Sequence, residues 1–317
     1  MTDTTDASPE TGAGSAAAEP QAEAVAVAVA VAPPAGRSAS LWSDAARELA
    51  RSPLFLGSAF IALVMIVMAI APGLFTNADP RACNLSNSLE RPSADAWFGY
   101  DLQGCDYYAR TVYGARASIA IGFLASAAAT VIGVVLGSLA GYYGGWFDAL
   151  FARLADVFFA IPTILGGLVL LSALGSRGIW QVALVLVVLA WPVILRLMRS
   201  QVLSVKQQDY VQAARALGAG DLRILTRHIL PNGVAPVIVY ATIFVGVVIG
   251  AEATLSFLGV GLQLPAISWG LMLSVAQDRI LQAPHLLLFP GLFLSVTVLA
   301  FLVMGDQLRD ALDPKLR

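Results

Sequence analysis

The stretch "YVQAARALGAGDLRILTRHILPN", Tyr210–Asn232, packs three arginines, an aspartate, a histidine and two glycines into 23 positions. The chain around it is of another kind. Of its 317 residues, 58% are apolar and only 13% are charged, with a mean hydropathy of +0.75. A soluble domain carries about 25% charged residues. The bulk of the chain therefore reads as membrane-embedded, and Tyr210–Asn232 as a segment that leaves the bilayer.

Crossing the hydrocarbon core takes about 20 mostly apolar residues. Six stretches qualify: Pro53–Ala71, Ala115–Tyr142, Phe147–Leu174, Trp180–Leu197, Gly233–Leu258 and Leu286–Met304. An even number of spans puts both termini on one side. With the N-terminus inside, 13 of the 19 Lys and Arg residues fall on the cytoplasmic side, as the positive-inside rule requires. Tyr210–Asn232, between spans four and five, is then cytoplasmic. The expected fold is an all-α membrane protein of six transmembrane helices. Residues 1–50, rich in Ala, Thr, Ser, Pro and Glu, read as a disordered cytoplasmic tail and lead-in. The tail lacks the basic start and leucine-like core of a signal peptide. Residues 51–317 form the membrane domain, with an outer loop at 72–114 and a cytoplasmic loop at 198–232.

Several chemistries are excluded by missing residues. A phosphate-cradling GxxxxGK[ST] loop needs a lysine after glycine, but Lys206 follows Val205 and Lys315 follows Pro314. Only His228 and His285 are present, with no HExxH, so neither a catalytic centre nor a metal site is expected. Gly133, Gly137 and Gly141 stand four apart on one helix face, suited either to packing within the bundle or to a subunit interface. Arg153 and Asp156, three apart, are expected to pair. Glu252 has no basic neighbour in sequence, and either faces a watery cavity or pairs across helices.

Within the opening stretch, Tyr210, Ala213, Ala214 and Leu217 recur at helical spacing and end at Gly218, a natural helix stop. Asp221 is expected to cap a second helix that carries Leu222, Leu225 and Ile229 on one face and ends at Pro231. Two short amphipathic helices about a glycine bend fit either a groove on a cytoplasmic partner or the lipid headgroups.

The same stretch resembles the "EAA" cytoplasmic loop of ABC importer permeases through Ala213, Ala214, Gly218, His228, Leu230 and Pro231. "WFGYDLQGCDYYARTVYGARASI", Trp97–Ile119, is similar to a signature ahead of the second span of peptide permeases, and "LSFLGVGLQLPAISWGLML", Leu255–Leu273, to one at the end of their fifth. Together they point to the dipeptide/oligopeptide/nickel importers and to the C-type of their two permease subunits, which implies that residues 51–317 are a permease domain in a bacterial inner membrane and that 198–232 is its cytoplasmic coupling loop, with coupling helices. The resemblance implies transport of short peptides, with nickel or another small solute as the alternative within the family. It implies a homologous second permease, two ABC ATPase subunits that hold ATP and Mg in place of any cofactor on this chain, and an extracytoplasmic substrate-binding protein. Tyr210, Gln212, Ala213, Ala214, Leu217, Gly218, Asp221, Arg227 and His228 become the ATPase-coupling residues. Glu252, Phe257 and Trp269 become candidates for the pathway or its gate. The sequence departs from the family pattern twice, with Gln212 in place of the EAA glutamate and Cys105 in place of an arginine. A self-sufficient channel or secondary transporter would need more ionisable residues in its spans than Glu252.

Cys83 and Cys105, the two cysteines of the chain, both fall in the outer loop. They sit among Asn, Gln, Asp and Gly, although unpaired cysteines are usually buried in apolar surroundings. A disulfide is expected, on the side of the membrane where disulfides persist.

Overall fold

The computed structural model describes residues 41–313. Most of the tail reading, residues 1–40, lies outside them, as do Lys315 and Arg317. The compact unit that holds the spans begins at Ala45, within the short helix α1 (Leu41–Leu49), where Ala45 and Leu49 pack with Ala311.

Among the described residues, five helices are long and apolar enough to cross a membrane. The first is α2 (Pro53–Ile70), started by the Ser52 side chain, which accepts the Phe55 N–H, and by proline at its first position. Next is α3 (Tyr107–Tyr143), capped by Asp106. It begins eight residues before the apolar run does, since a capping aspartate and not hydropathy sets its start. The third expected span is divided. α4 (Gly145–Ala160) and α5 (Thr163–Leu174) meet at 90°, so Phe147–Leu174 is an elbow and not one straight helix. The cause is Pro162, which lacks an N–H and drives Ile161 into extended backbone, φ −90° and ψ 116°. α6 (Ile179–Lys206) follows, then α7 (Asp209–Ala216), α8 (Asp221–Ile224), a π turn at Leu225–Ile229 and α9 (Leu230–Gly233). The last apolar helices are α10 (Ala235–Phe257) and α12 (His285–Leu312), separated by the short α11 (Trp269–Ala276).

α3 and α10 are shared by two buried clusters. One gathers Ile121, Leu171, Leu186, Ile194, Met198 and Val202 with hairpin residues Val211, Ile224 and Ile229. The other gathers Met65, Val112, Ile249, Trp269, Leu286 and Phe301. The three glycines settle how α3 meets α6. A Cβ on Gly133 would stand 2.6 Å from the Ile194 Cβ, on Gly137 2.5 Å from the Leu195 carbonyl oxygen, and on Gly141 2.9 Å from the Val202 Cβ. The stripe is thus internal packing. Lipid tails give no hydrophobic drive for helices to associate, so close backbone approach supplies the dispersion contact that holds this pair.

Candidate functional site: a hairpin, its anchorage and the opposite end

The polar stretch folds into the expected hairpin. α7 ends at Ala216, the chain turns at Gly218, whose φ of +83° is open to glycine at little penalty, and α8 starts after Gly220. Val211, Ile224, Leu225 and Ile229 are buried against the bundle. On the other side Leu217 is 88% and Leu222 72% exposed, with Tyr210 and Ala213 also exposed and Ala214 half-buried. The stripe picked out by periodicity is therefore largely the uncovered face. Partial burial pushes the Tyr210 phenol above its ordinary pKa.

Three details of the sequence reading are corrected here. Asp221 does not cap α8; its carboxylate accepts a hydrogen bond from the Tyr142 hydroxyl at 2.7 Å. Leu225 and Ile229 share a buried face as expected, but Leu222 does not join them and stands on the exposed side. Nor does Pro231 end the helical path. The Leu230 N–H reaches back to the Leu225 carbonyl, and Asn232 Nδ2 donates to the His228 carbonyl at 2.7 Å. The π turn makes room for the proline ring, and the chain continues through α9 to α10.

The hairpin is fastened to the C-terminal ends of α3 and α6. Lys206 Nζ donates to the Tyr142 carbonyl at 2.5 Å, and Gln212 Nε2 to the Lys206 carbonyl at 2.8 Å. Both carbonyls belong to last helical turns, which have no intrahelical donor. Lys206 and Arg215 also stand over the Tyr142 ring, 5.3 and 5.9 Å from its centroid. Tyr142 is thus the hub of the hairpin base. Sequence reasoning missed it, because a tyrosine closing an apolar run carries no distinctive spacing. Arg227 is exposed and His228 half-buried on the same segment.

Along α4, Asp156 takes Arg196 of α6 as its close partner, while Arg153 stands 4.0 Å away. The local pair expected from spacing is thus secondary to one between helices. Asp148 makes a two-pronged bond to Arg199. Two arginines of α6 therefore hold the first arm of the elbow.

At the other end of α3, Cys83 and Cys105 form a disulfide with their Cα atoms 4.0 Å apart. Asp101 accepts from the Gln103 and Cys105 N–H groups, each at 2.9 Å, and pairs with Arg110 on the first turn of α3. The loop is thereby tied both across itself and to the helix.

Glu252 is 0% exposed. Its carboxylate meets hydroxyls and not a cation. Ser118 Oγ of α3 donates to Oε2 at 3.1 Å and Ser256 Oγ to Oε1 at 2.8 Å. Each of these two serines also accepts a backbone N–H, from Trp269 and Leu262 respectively, while Ser268 caps α11 by accepting the Leu271 N–H. The oriented relay N–H to Oγ–H to carboxylate joins α3, α10 and the segment leading into α11. Trp269, also 0% exposed, rests on Gly114, and its indole donates to the Thr111 carbonyl at 2.9 Å. Phe257 is half-buried. Glu252 and Trp269 thus sit inside the packing that positions the loop at 258–268.

A small apolar tip on a rigid base, carried by a bundle of apolar spans, is how a membrane permease would present itself to a protein that drives it. Sequence comparison gives the family. The family model described as "Binding-protein-dependent transport system inner membrane component" matches residues 133–317, and "N-terminal TM domain of oligopeptide transport permease C" matches residues 40–92. The dipeptide transport system permease protein DppC of Alkalihalophilus pseudofirmus is 40% identical over 280 residues, covering 88% of this chain and 92% of its own. The oligopeptide transport system permease protein OppC of Bacillus subtilis is 40% identical over 281 residues, at 89% and 92% coverage. The glutathione transport system permease protein GsiD of Escherichia coli O157:H7 is 41% identical over 280 residues, at 87% and 91%. The chain belongs to the family of inner membrane components of binding-protein-dependent transport systems.

Proposed function

We propose that this chain is one permease subunit of an ATP-driven importer of short peptides. It forms half of the path with a homologous permease. ATP and Mg act on two separate ATPase chains, a binding protein delivers substrate, and the chain itself catalyses no reaction. The names of the relatives, two of which transport dipeptides or oligopeptides and one glutathione, a tripeptide, support the substrate class. In this reading the hairpin end is cytoplasmic, in agreement with the arginine count. The disulfide end faces the oxidising side, where such bonds persist.

The single observation that carries the proposal is the uncovered tip at Leu217, Gly218 and Leu222 on a base locked to α3 and α6. An ATPase cleft that grips the tip would move Tyr142 and Lys206 with it, and rigid-body motion of the spans would open the path to alternate sides. Tyr210, Gln212, Ala213, Ala214, Asp221, Arg227 and His228 would act around that tip.

Two measurements test this. Purification in detergent should recover a stoichiometric ATPase with the chain. Gly218→Val has open space for its side chain but forces a β-branched residue to positive φ, and Ala214→Trp adds bulk beside the tip. Each should lower peptide-stimulated ATPase activity by tenfold or more while the chain still inserts. Full activity in both variants would remove the docking role.

A further inference from the structure

At the disulfide end lies a cavity of about 480 Å³, within the range of small-ligand sites. Its wall includes Asn77, Asp79 and Arg81 of the loop, Tyr113 and Arg116 of α3, and Ile267 just before the buried Glu252 relay. Charges of both signs line one space, yet among the described residues no ion pair joins them.

Arg116 is held in place. Its Nε donates to the Ala69 carbonyl at 3.2 Å and its Nη2 to the Ile70 carbonyl at 3.4 Å, the terminal carbonyls of α2. The guanidinium also stands 6.0 Å from the centre of the Tyr113 ring. Nη1 has no acceptor among the described residues. Asp79 is arranged in a similar way: Oδ1 accepts the Arg81 N–H at 2.9 Å, while Oδ2 and the Arg81 guanidinium have no partner among the described residues. A guanidinium already fixed by two bonds loses little freedom when a carboxylate arrives. An arginine on an apolar helix that opens onto a polar cavity is also the usual mark of a substrate route.

We propose that this cavity is a reception site for the two free ends of a short peptide, with the C-terminal carboxylate on Arg116 and Arg81 and the N-terminal ammonium on Asp79. The proposal rests on the peptide reading above. The floor of the site is not passive. Ile267 adjoins Ser268 and Trp269, so a ligand in the cavity presses on the segment that Glu252 holds to α3. Charges of both signs suit a molecule that carries both and disfavour one with either end blocked, because the group facing the blocked end is then left without its counter-charge.

The test compares uptake of radiolabelled trialanine, trialanine amide and N-acetyl-trialanine by native-host strains carrying the wild-type chain, Arg116→Met, Arg116→Lys or Asp79→Asn at equal membrane abundance. The binding protein is the same in every strain, so its own preference cancels in the ratios. Arg116→Met should shrink the free-over-amide preference about two- to fivefold, the range of one exposed ion pair, and Arg116→Lys should restore part of it. Asp79→Asn, in the exposed loop, should shrink only the free-over-acetyl preference. If both variants leave both ratios unchanged, or shift them equally, the reception site is overturned while the peptide reading stands. Should the wild type take up trialanine no faster than a strain lacking the chain, the peptide reading falls and the site with it.

Discussion

At the scale of single residues, Gln212 shows how a fixed partner alters an expectation from similarity. A glutamine that replaces a glutamate would be interchangeable with it if it only bonded outward. Here, however, Nε2 donates inward to the Lys206 carbonyl at 2.8 Å. A carboxylate at that position has no proton to give and must turn away. Gln212→Glu should therefore weaken the hairpin base by about 1 kcal/mol, close to the loss from Gln212→Ala. Thermal unfolding of the two variants in detergent measures this, and a silent Gln212→Glu with a damaging Gln212→Ala would contradict it. Glu252 gives a larger effect. Truncating it leaves Ser118 and Ser256 donating into a closed interior, at about 1–3 kcal/mol for each stranded donor. Glu252→Ala should unfold well below the wild type, and Glu252→Gln in between, because its amide oxygen still accepts on one side. A Glu252→Ala chain as stable as the wild type would show that the relay does not hold the segment before α11.

The elements were legible to different degrees, and the reasons are physical. Five of the six apolar stretches became single helices, because a run of about 20 apolar residues in lipid can satisfy its backbone only as a helix. Their ends were not legible. Asp106 starts α3 well before hydropathy rises, and α6 runs on to Lys206 through residues that composition assigns to a loop. The elbow at Pro162 was written in the sequence but hidden by the apolar run on both sides. Proline alone does not decide, since Pro192 lies inside α6 and Pro290 inside α12. In the hairpin, the exposed stripe and the glycine bend followed from spacing. The Tyr142 anchorage depends on a contact between segments 79 positions apart, which no local pattern encodes. The packing of α3 on α6 yields a direct expectation. Gly137→Val would place a branched carbon against the Leu195 carbonyl and the Met198 Cβ. Forcing the helices apart should destabilise the chain by about 1–3 kcal/mol. A thermal midpoint in detergent within a degree of the wild type would show that the two helices yield without loss.

Across the whole molecule, the disulfide closes a separation of 22 residues and should stabilise the loop by about 3 kcal/mol in the chain-entropy model. Opening it should be felt first near Asp101 and Arg110, and much less at the hairpin. Hydrogen exchange on the Cys83→Ser/Cys105→Ser double variant should show faster exchange across residues 83–105 with little change at 209–233, and a uniform rise in both would contradict that localisation. The two regions are nevertheless joined by one element. α3 has 37 residues, about 55 Å of unbroken helix, against a hydrocarbon core of about 30 Å. It is pinned to Asp221 at Tyr142 and to Asp101 at Arg110, and unlike the bent arm that follows it, it has no elbow in which to absorb movement. Mechanically, α3 is a push-rod. If the hairpin is displaced as proposed above, α3 would carry that displacement to the stapled loop with little slack.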